Sequence, residues 1–155
     1  MTIPIVFNTG ADPVALGLVA SLNRPGANLT GSAILQTELA PKQLQLLREL
    51  VPNVAVFGLL ADPAFPSTPL LIGGLRSAAP TLGLQLVVVE TNRDFETAFA
   101  TFSEQRVGAV LVGIITFYNR RPEQLAALAA RHALPAMFPF RELPGRRPDE
   151  LWQQP

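Results

Sequence analysis

Three aspartates, Asp12, Asp62 and Asp94, each follow an apolar run and each have hydroxyls close by. Thr9 precedes the first, Ser67 and Thr68 follow the second, and Thr91 precedes the third. A fourth stretch, ITFYN, adds Thr116, Tyr118 and Asn119. Carboxylates, hydroxyls, an amide and a tyrosine together suit hydrogen bonding to a small polar ligand. They are not a bond-breaking set. General-base or nucleophilic chemistry needs a base beside a nucleophile, and the single histidine, His132, lies near an expected helix C-terminus where a cation is favourable. Its expected work is structural. With one histidine and no cysteine, no metal-ligand spacing exists, so neither a metal nor a cofactor is expected. GADPVALG lacks the spacing of a phosphate-binding glycine loop, and no lysine follows it. NLT fits a glycosylation acceptor, a match short enough to arise by chance. Arg120 and Arg121 could hold an anion, but at the head of a helix they more ordinarily form a solvated face that opposes the dipole. Each aspartate also has a plain structural use, because Asp in front of a helix normally caps it.

The positions of these residues depend on the elements around them. IPIVF reads as a strand, and DPVALGLVASL as a helix with Asp12 as N-cap and Pro13 at its first position. NRPGANLTG is a loop and SAIL a short strand. Thr37 caps a helix over ELAPKQLQLLRELV, with Leu39, Leu46, Leu47 and Leu50 on one side. VAVFGLLA is a strand buried on both faces. PLLIGGLRSAAPTLG is a helix weakened by Gly73, Gly74 and Pro80. LQLVVVE is a strand, and Asp94 caps FETAFATFSEQRV with its stripe of Phe95, Phe99 and Phe102. GAVLVGII is a strand, RRPEQLAALAARHAL a helix and PAMFPF the last strand. Strands separated by single helices predict an α/β fold, a parallel sheet flanked by helices. In such sheets ligands bind beyond the carboxyl ends of the strands, where all four polar stretches fall.

Composition removes other classes. Hydrophobic residues make up 48% of the 155 and charged residues 15%, the balance of a chain with a core and not of a disordered one. Twelve basic residues offset twelve acidic ones, so no global charge points to nucleic acid. MTIPIVFNTG has no basic n-region or long apolar h-region, so no signal peptide is read and the product as encoded is expected in the cytoplasm.

The stretch IPIVFNTGADPVALGLVASLNRPGANLTG closely resembles the ABC-transporter substrate-binding proteins, in the branch that binds tryptophan and other aromatic amino acids. LAPKQLQLLRELVPNVAVFGLLADP, AAPTLGLQLVVVET, FATFSEQRVGAVLVG and LAALAARHALPAMFPFRE follow the same family in the same order. The resemblance runs from Ile3 to Glu142. It implies a periplasmic-binding-protein-like, Rossmann-like lobe; a small solute such as an amino acid held between two α/β lobes; delivery to a membrane permease; no enzymatic activity; and a periplasmic station for the family. Residues 1–31 then correspond to the end of a first lobe, 32–139 to a second lobe, and 140–155 to the return segment and tail. Thr9 and Asp12 match the first-lobe side of the cleft. Asp62 to Thr68 and Thr116 to Asn119 match the second-lobe side. The family tends to carry asparagine-rich text where this chain has ADPAFPST, and it keeps open the helix that Pro80 interrupts. Which solute is bound is left open. A self-associating α/β module without ligand and a small α/β enzyme are the competing readings.

Family members are about twice this long, beyond the usual single-domain size. Most of the first lobe is therefore expected to be missing, leaving apolar faces of IPIVF and PVALGLVASL bare and favouring a homodimer. Half a cleft is also expected to bind amino acids only weakly. After Glu142 the text departs from the family. Residues Gly145 to Gln154 can be encoded so that reading one nucleotide later gives AGGLMSYGSS, the kind of text with which the family continues. An out-of-frame tail is the expectation, and sequencing the gene tests it.

Overall fold

The structure, a computed structural model, describes residues 3–10, 12–33, 36–113 and 122–139. The tail and the ITFYN stretch lie outside the described residues. Ten elements follow in order: β1 (Ile5–Thr9), β2 (Leu29–Ala33), α1 (Gln36–Leu50), β3 (Val56–Ala61), α2 (Thr68–Thr81), β4 (Gln85–Glu90), α3 (Phe95–Glu104), β5 (Ala109–Val112), α4 (Pro122–Arg131) and β6 (Ala136–Met137). They form two parallel sheets, one of β1 and β2, the other in the order β4-β3-β5-β6. The α/β class with parallel strands and flanking helices is as read from the sequence.

In the larger sheet, the two-residue period of a strand divides the core into two layers. Phe57, Leu59 and Ala61 of β3, with Ala109 and Leu111 of β5, face α1 and α2. Leu60 of β3, with Val110 and Val112 of β5, faces α3 and α4. Both central strands are thus covered on both sides, which is why they read as unbroken apolar runs. On α3, the expected stripe of Phe95, Phe99 and Phe102 is wholly buried. The rings of Phe99 and Phe102 meet edge to face, with centroids 5.9 Å apart. Phe102 also dictates Gly58 on β3, where a Cβ would come within 2.8 Å of that ring.

Several local expectations are corrected. DPVALGLVASL forms only one turn: the Leu16 N–H reaches the Asp12 carbonyl, the Leu18 N–H reaches that of Pro13, and Gly17 then takes a positive φ of 69°. The left-handed Gly17 ends the helix there, although Val19 beyond it is buried. The strand after it starts earlier than read, at Leu29, and runs to Ala33; Ile34 and Leu35 of SAIL lie outside the described residues. It pairs with β1 from Ile5↔Leu29 to Thr9↔Ala33. Helix α1 begins at Gln36 and so includes Thr37 instead of being capped by it. Its buried stripe is Ala40, Leu44 and Leu47, while Leu39, Leu46 and Leu50 are exposed. Both sets have helical spacing, and only the contact with α2 and the sheet decides between them. The last strand shrinks to Ala136–Met137 because Pro139 has no N–H to give a ladder.

Candidate functional site

Register places three loops at one edge of the larger sheet. Ala61, the last residue of β3, stands opposite Glu90 of β4, and Leu60 stands opposite Val112 of β5. The chain therefore leaves all three strands at nearly the same level. Two backbone bonds continue the ladder one step further: the Thr91 N–H donates to the Ala61 carbonyl at 2.9 Å, and the Gly113 N–H to the Leu60 carbonyl at 2.8 Å. From β3 the chain moves outward to β4, then returns past β3 to β5 and on to β6. Adjacent strands β3 and β5 thus send their loops in opposite directions. That reversal opens a crevice at their carboxyl ends, the usual ligand position of open α/β sheets.

Asp62 is the first residue after β3, and only 6% of it is exposed. Its Oδ1 accepts the Ala64 N–H at 2.8 Å. Its carbonyl accepts the Thr68 hydroxyl at 2.6 Å and the Phe65 N–H at 3.3 Å. These bonds fold ADPAFPST into a tight turn that delivers the chain to α2. Ser67 stands at the N-cap of α2 and Thr68 opens the helix; both are buried, and the Ser67 side chain makes no capping hydrogen bond. In the first turn of α2 the Thr68 N–H is taken by the Phe65 carbonyl at 3.0 Å and Pro69 has no N–H, so this helix start offers few backbone donors.

Thr91 works on its own loop. Its Oγ1 accepts the backbone N–H of Arg93 at 3.3 Å and of Asp94 at 3.1 Å. Asp94 then caps α3, accepting the Thr97 N–H at 3.0 Å. The Thr97 backbone bond, and after it the bond from the Thr97 side chain, holds the Asp94 carboxyl below its ordinary range. Asp94 is a structural cap, exposed to solvent.

Thr9 and Asp12 sit at the end of β1, in the other sheet. Asp12 accepts the Val14 N–H at 2.8 Å, a capping bond over the single turn that forms there. Sheet pairing brings Asp62, Ser67, Thr68 and Thr91 to one edge and does not bring Thr9 or Asp12 to it. Thr116, Tyr118 and Asn119 lie outside the described residues, as do Arg120 and Arg121.

His132 is engaged far from this edge. Its Nδ1 is 2.8 Å from the Ser103 hydroxyl, which itself donates to the Phe99 carbonyl at 3.1 Å, and its ring stacks at a tilt on Phe99. It joins α3 to α4. Among the described residues, no group of three His, Cys, Asp or Glu side chains is placed to hold a metal. Gly113 is the site residue that sequence reasoning passed over. A Cβ there would come within 2.8 Å of the Leu60 carbonyl, so only glycine lets β5 leave the sheet against the end of β3. The signal available was a glycine directly after an apolar strand.

The profile of the family described as ABC transporter substrate binding protein matches residues 1–120. A tyrosine-binding protein of Clostridioides difficile is 28% identical over 85 residues, 55% of this chain and 24% of the relative. Among solved structures, a conserved domain protein of Vibrio cholerae superposes with a TM-score of 0.77 at 27% identity, over 88% of this chain and 46% of its own. The ABC domain from Streptococcus pneumonia, solved in complex with L-Trp, superposes with a TM-score of 0.73 at 20% identity, over 87% of this chain and 45% of its own. This chain thus spans less than half the length of the proteins it matches. With the profile covering most of its residues and the same strand arrangement carrying its loops to one edge, the chain belongs to the ABC transporter substrate-binding protein family.

Proposed function

We propose that this chain supplies one wall of a two-lobed solute-binding site and a corner of the facing wall, and that the solute is a small polar molecule of the amino-acid class. The observation that carries this reading is the crevice between β3 and β5, where buried Asp62, Ser67 and Thr68 meet the N-terminus of α2. Hydroxyls and a carboxylate together match a small polar molecule. The tyrosine-binding and L-Trp-bound relatives support that class. Thr9 and Asp12 would belong to the opposing wall, and Thr116, Tyr118 and Asn119 to the loop after β5. No catalytic step is proposed, since the described groups bind and do not activate. In the whole protein the solute would pass to an ABC permease from a periplasmic station.

One wall alone leaves a ligand largely solvated, and each exposed hydrogen bond is then worth about 1 kcal/mol net. The isolated chain should therefore bind amino acids only in the millimolar range. Calorimetric titration with tryptophan, phenylalanine and the branched-chain amino acids tests this. Low-micromolar binding by the 155-residue chain would overturn the one-wall reading.

A further inference from the structure

We infer that the outer edge of β4 is a contact through which two copies of this chain pair, β4 against β4 in the antiparallel sense about a two-fold axis. The larger sheet has two edges, and they are built differently. β6 is two residues long and lies between Pro135 and Pro139, the kind of edge that adds no strand. β4 is six residues long, pairs with β3 from Val56↔Gln85 to Ala61↔Glu90 without a bulge, and has no described strand on its other side. Its text, QLVVVE, has no proline and no lysine, and its four central residues are only half-buried. The parity of its ladder is fixed at both ends. The Gln85 N–H donates to the Ala55 carbonyl and the Thr91 N–H to the Ala61 carbonyl, so odd-numbered residues bond inward to β3. The N–H and C=O groups of Leu86, Val88 and Glu90 then face outward, a template for another strand.

The same residues point to a second copy as the occupant. Leu86 and Val88 pack on the side of α1 and α2, Val87 and Val89 on the side of α3 and α4. A two-fold axis normal to the sheet keeps each face on its own side, so it must pass through a residue and not between two. With the axis at Val88, Val88 stands opposite Val88 of the other copy, Leu86 opposite Glu90, and Val87 opposite Val89. Every outward group is then used, in about six hydrogen bonds, two at each Val88–Val88 and Leu86–Glu90 pair. Half-buried valines cover one another on both faces. The one charge on the strand is Glu90. The antiparallel sense sets the two Glu90 positions about 14 Å apart along the strands, so no like charges are opposed. The crevice at the ends of β3 and β5 stays open, because this edge lies one strand beyond β3. The contact is separate from the face of β1, which belongs to the other sheet.

The chain has no cysteine, so single cysteines report the contact. Val88→Cys puts two thiols on the axis, at the ~5.5 Å Cα separation of a hydrogen-bonded antiparallel pair, within disulfide reach. Gln85→Cys, on the same strand, puts them about 20 Å apart. Under mild oxidation of the full 155-residue chain, Val88→Cys should form disulfide dimer about tenfold faster than Gln85→Cys. In the unaltered protein, amide exchange at Leu86, Val88 and Glu90 should slow about tenfold from low-micromolar to millimolar concentration, while Val87 and Val89 stay protected throughout. Equal cross-linking at the two positions overturns the inference. So do outward amides that exchange freely at every concentration, which would leave the edge open or reserved for a different strand. Outward amides protected at every concentration support it if sedimentation gives a dimer. They overturn it if sedimentation gives a monomer, since a segment of the same chain then covers the edge. Exchange and sedimentation use the unaltered protein, so they decide the matter even if Val88→Cys does not fold.

Discussion

Strands β1 and β5 are both parallel, both fully paired over their length, and both rich in branched apolar residues, yet their surroundings are opposite. All four residues of β5 are buried, between helices on both faces. On β1, Ile5 is 49% exposed and Val6 78%, and Ile3 before it is 80% exposed. Ladder hydrogen bonding is not what differs, since β1 pairs with β2 through five consecutive residues and β5 with β3 through four. The difference is cover. A backbone hydrogen bond nets little in water, whereas each large apolar side chain withdrawn from it contributes about 1.5–3 kcal/mol. No residue before Ala40 belongs to either core cluster. The stability of the described chain therefore resides in the four-stranded sheet and its helices, and the β1–β2 pair is carried along.

The largest expected effect comes from the core of the larger sheet. Phe99→Ala should cost about 3–5 kcal/mol in chemical denaturation, by lost burial and a residual cavity. Val6→Ala on β1 should change stability by less than about 0.5 kcal/mol. Comparable losses at the two positions would erase the distinction between the regions.

Next is a pair of glycine replacements. Gly58→Ala forces a methyl against the Phe102 ring and Val107, and should cost about 1–3 kcal/mol through overpacking. Gly73→Ala, on α2 with open space around it, should stabilise by about 0.5–1 kcal/mol through helix propensity. Thermal midpoints moving in opposite directions would sharpen the assignment of where packing is tight.

The bare face of β1 has its own expected outcome. Expressed alone, the chain should self-associate through Ile3, Ile5 and Val6, because apolar surface of this kind finds a partner. Val6→Lys should shift light scattering toward monomer without lowering the thermal midpoint. A monomeric parent at micromolar concentration would show that the face tolerates water unaided.

The smallest effect concerns Asp94. Its folded-state carboxyl is held below the ordinary aspartate range, so its contribution to stability is full above that range. The contribution is lost as pH falls through the depressed folded value. Asp94→Ala should therefore flatten the acid limb of the stability profile slightly, while Asp94→Asn, also a good cap, should keep most of the neutral-pH stability. Thermal melts from acid to neutral pH read the difference.

Much of this architecture was legible beforehand, for a physical reason. β3, β4 and β5 announce themselves as short branched apolar runs, and α3 as a phenylalanine stripe, because burial imposes a period that local text must match. The Asp94 cap was legible too, since Asp94 acts within three residues of itself, whereas Thr37, expected to cap α1, lies inside it. Helix α1 shows the limit. Leu39, Leu46 and Leu50 satisfy helical spacing as well as Ala40, Leu44 and Leu47 do, and spacing cannot say which side faces a sheet. The turn after Asp12 shows the same limit differently: its residues suit a helix, but the backbone turns left-handed at Gly17 and the helix stops after one turn.

The sequence by itself determined the kind of the elements from α1 onward, the parallel α/β class and the polar character of the loops that follow the strands, because all of these depend on residues a few positions apart. Only the tertiary structure decided the strand order β4-β3-β5-β6, and with it the reversal between β3 and β5 that makes one set of loops a crevice. It also decided that Asp62 is buried while Asp94 is exposed, although both follow an apolar strand in similar text. Strand order and burial are set by contacts between segments tens of residues apart, where the gain from covering both faces of a central strand outweighs any local preference.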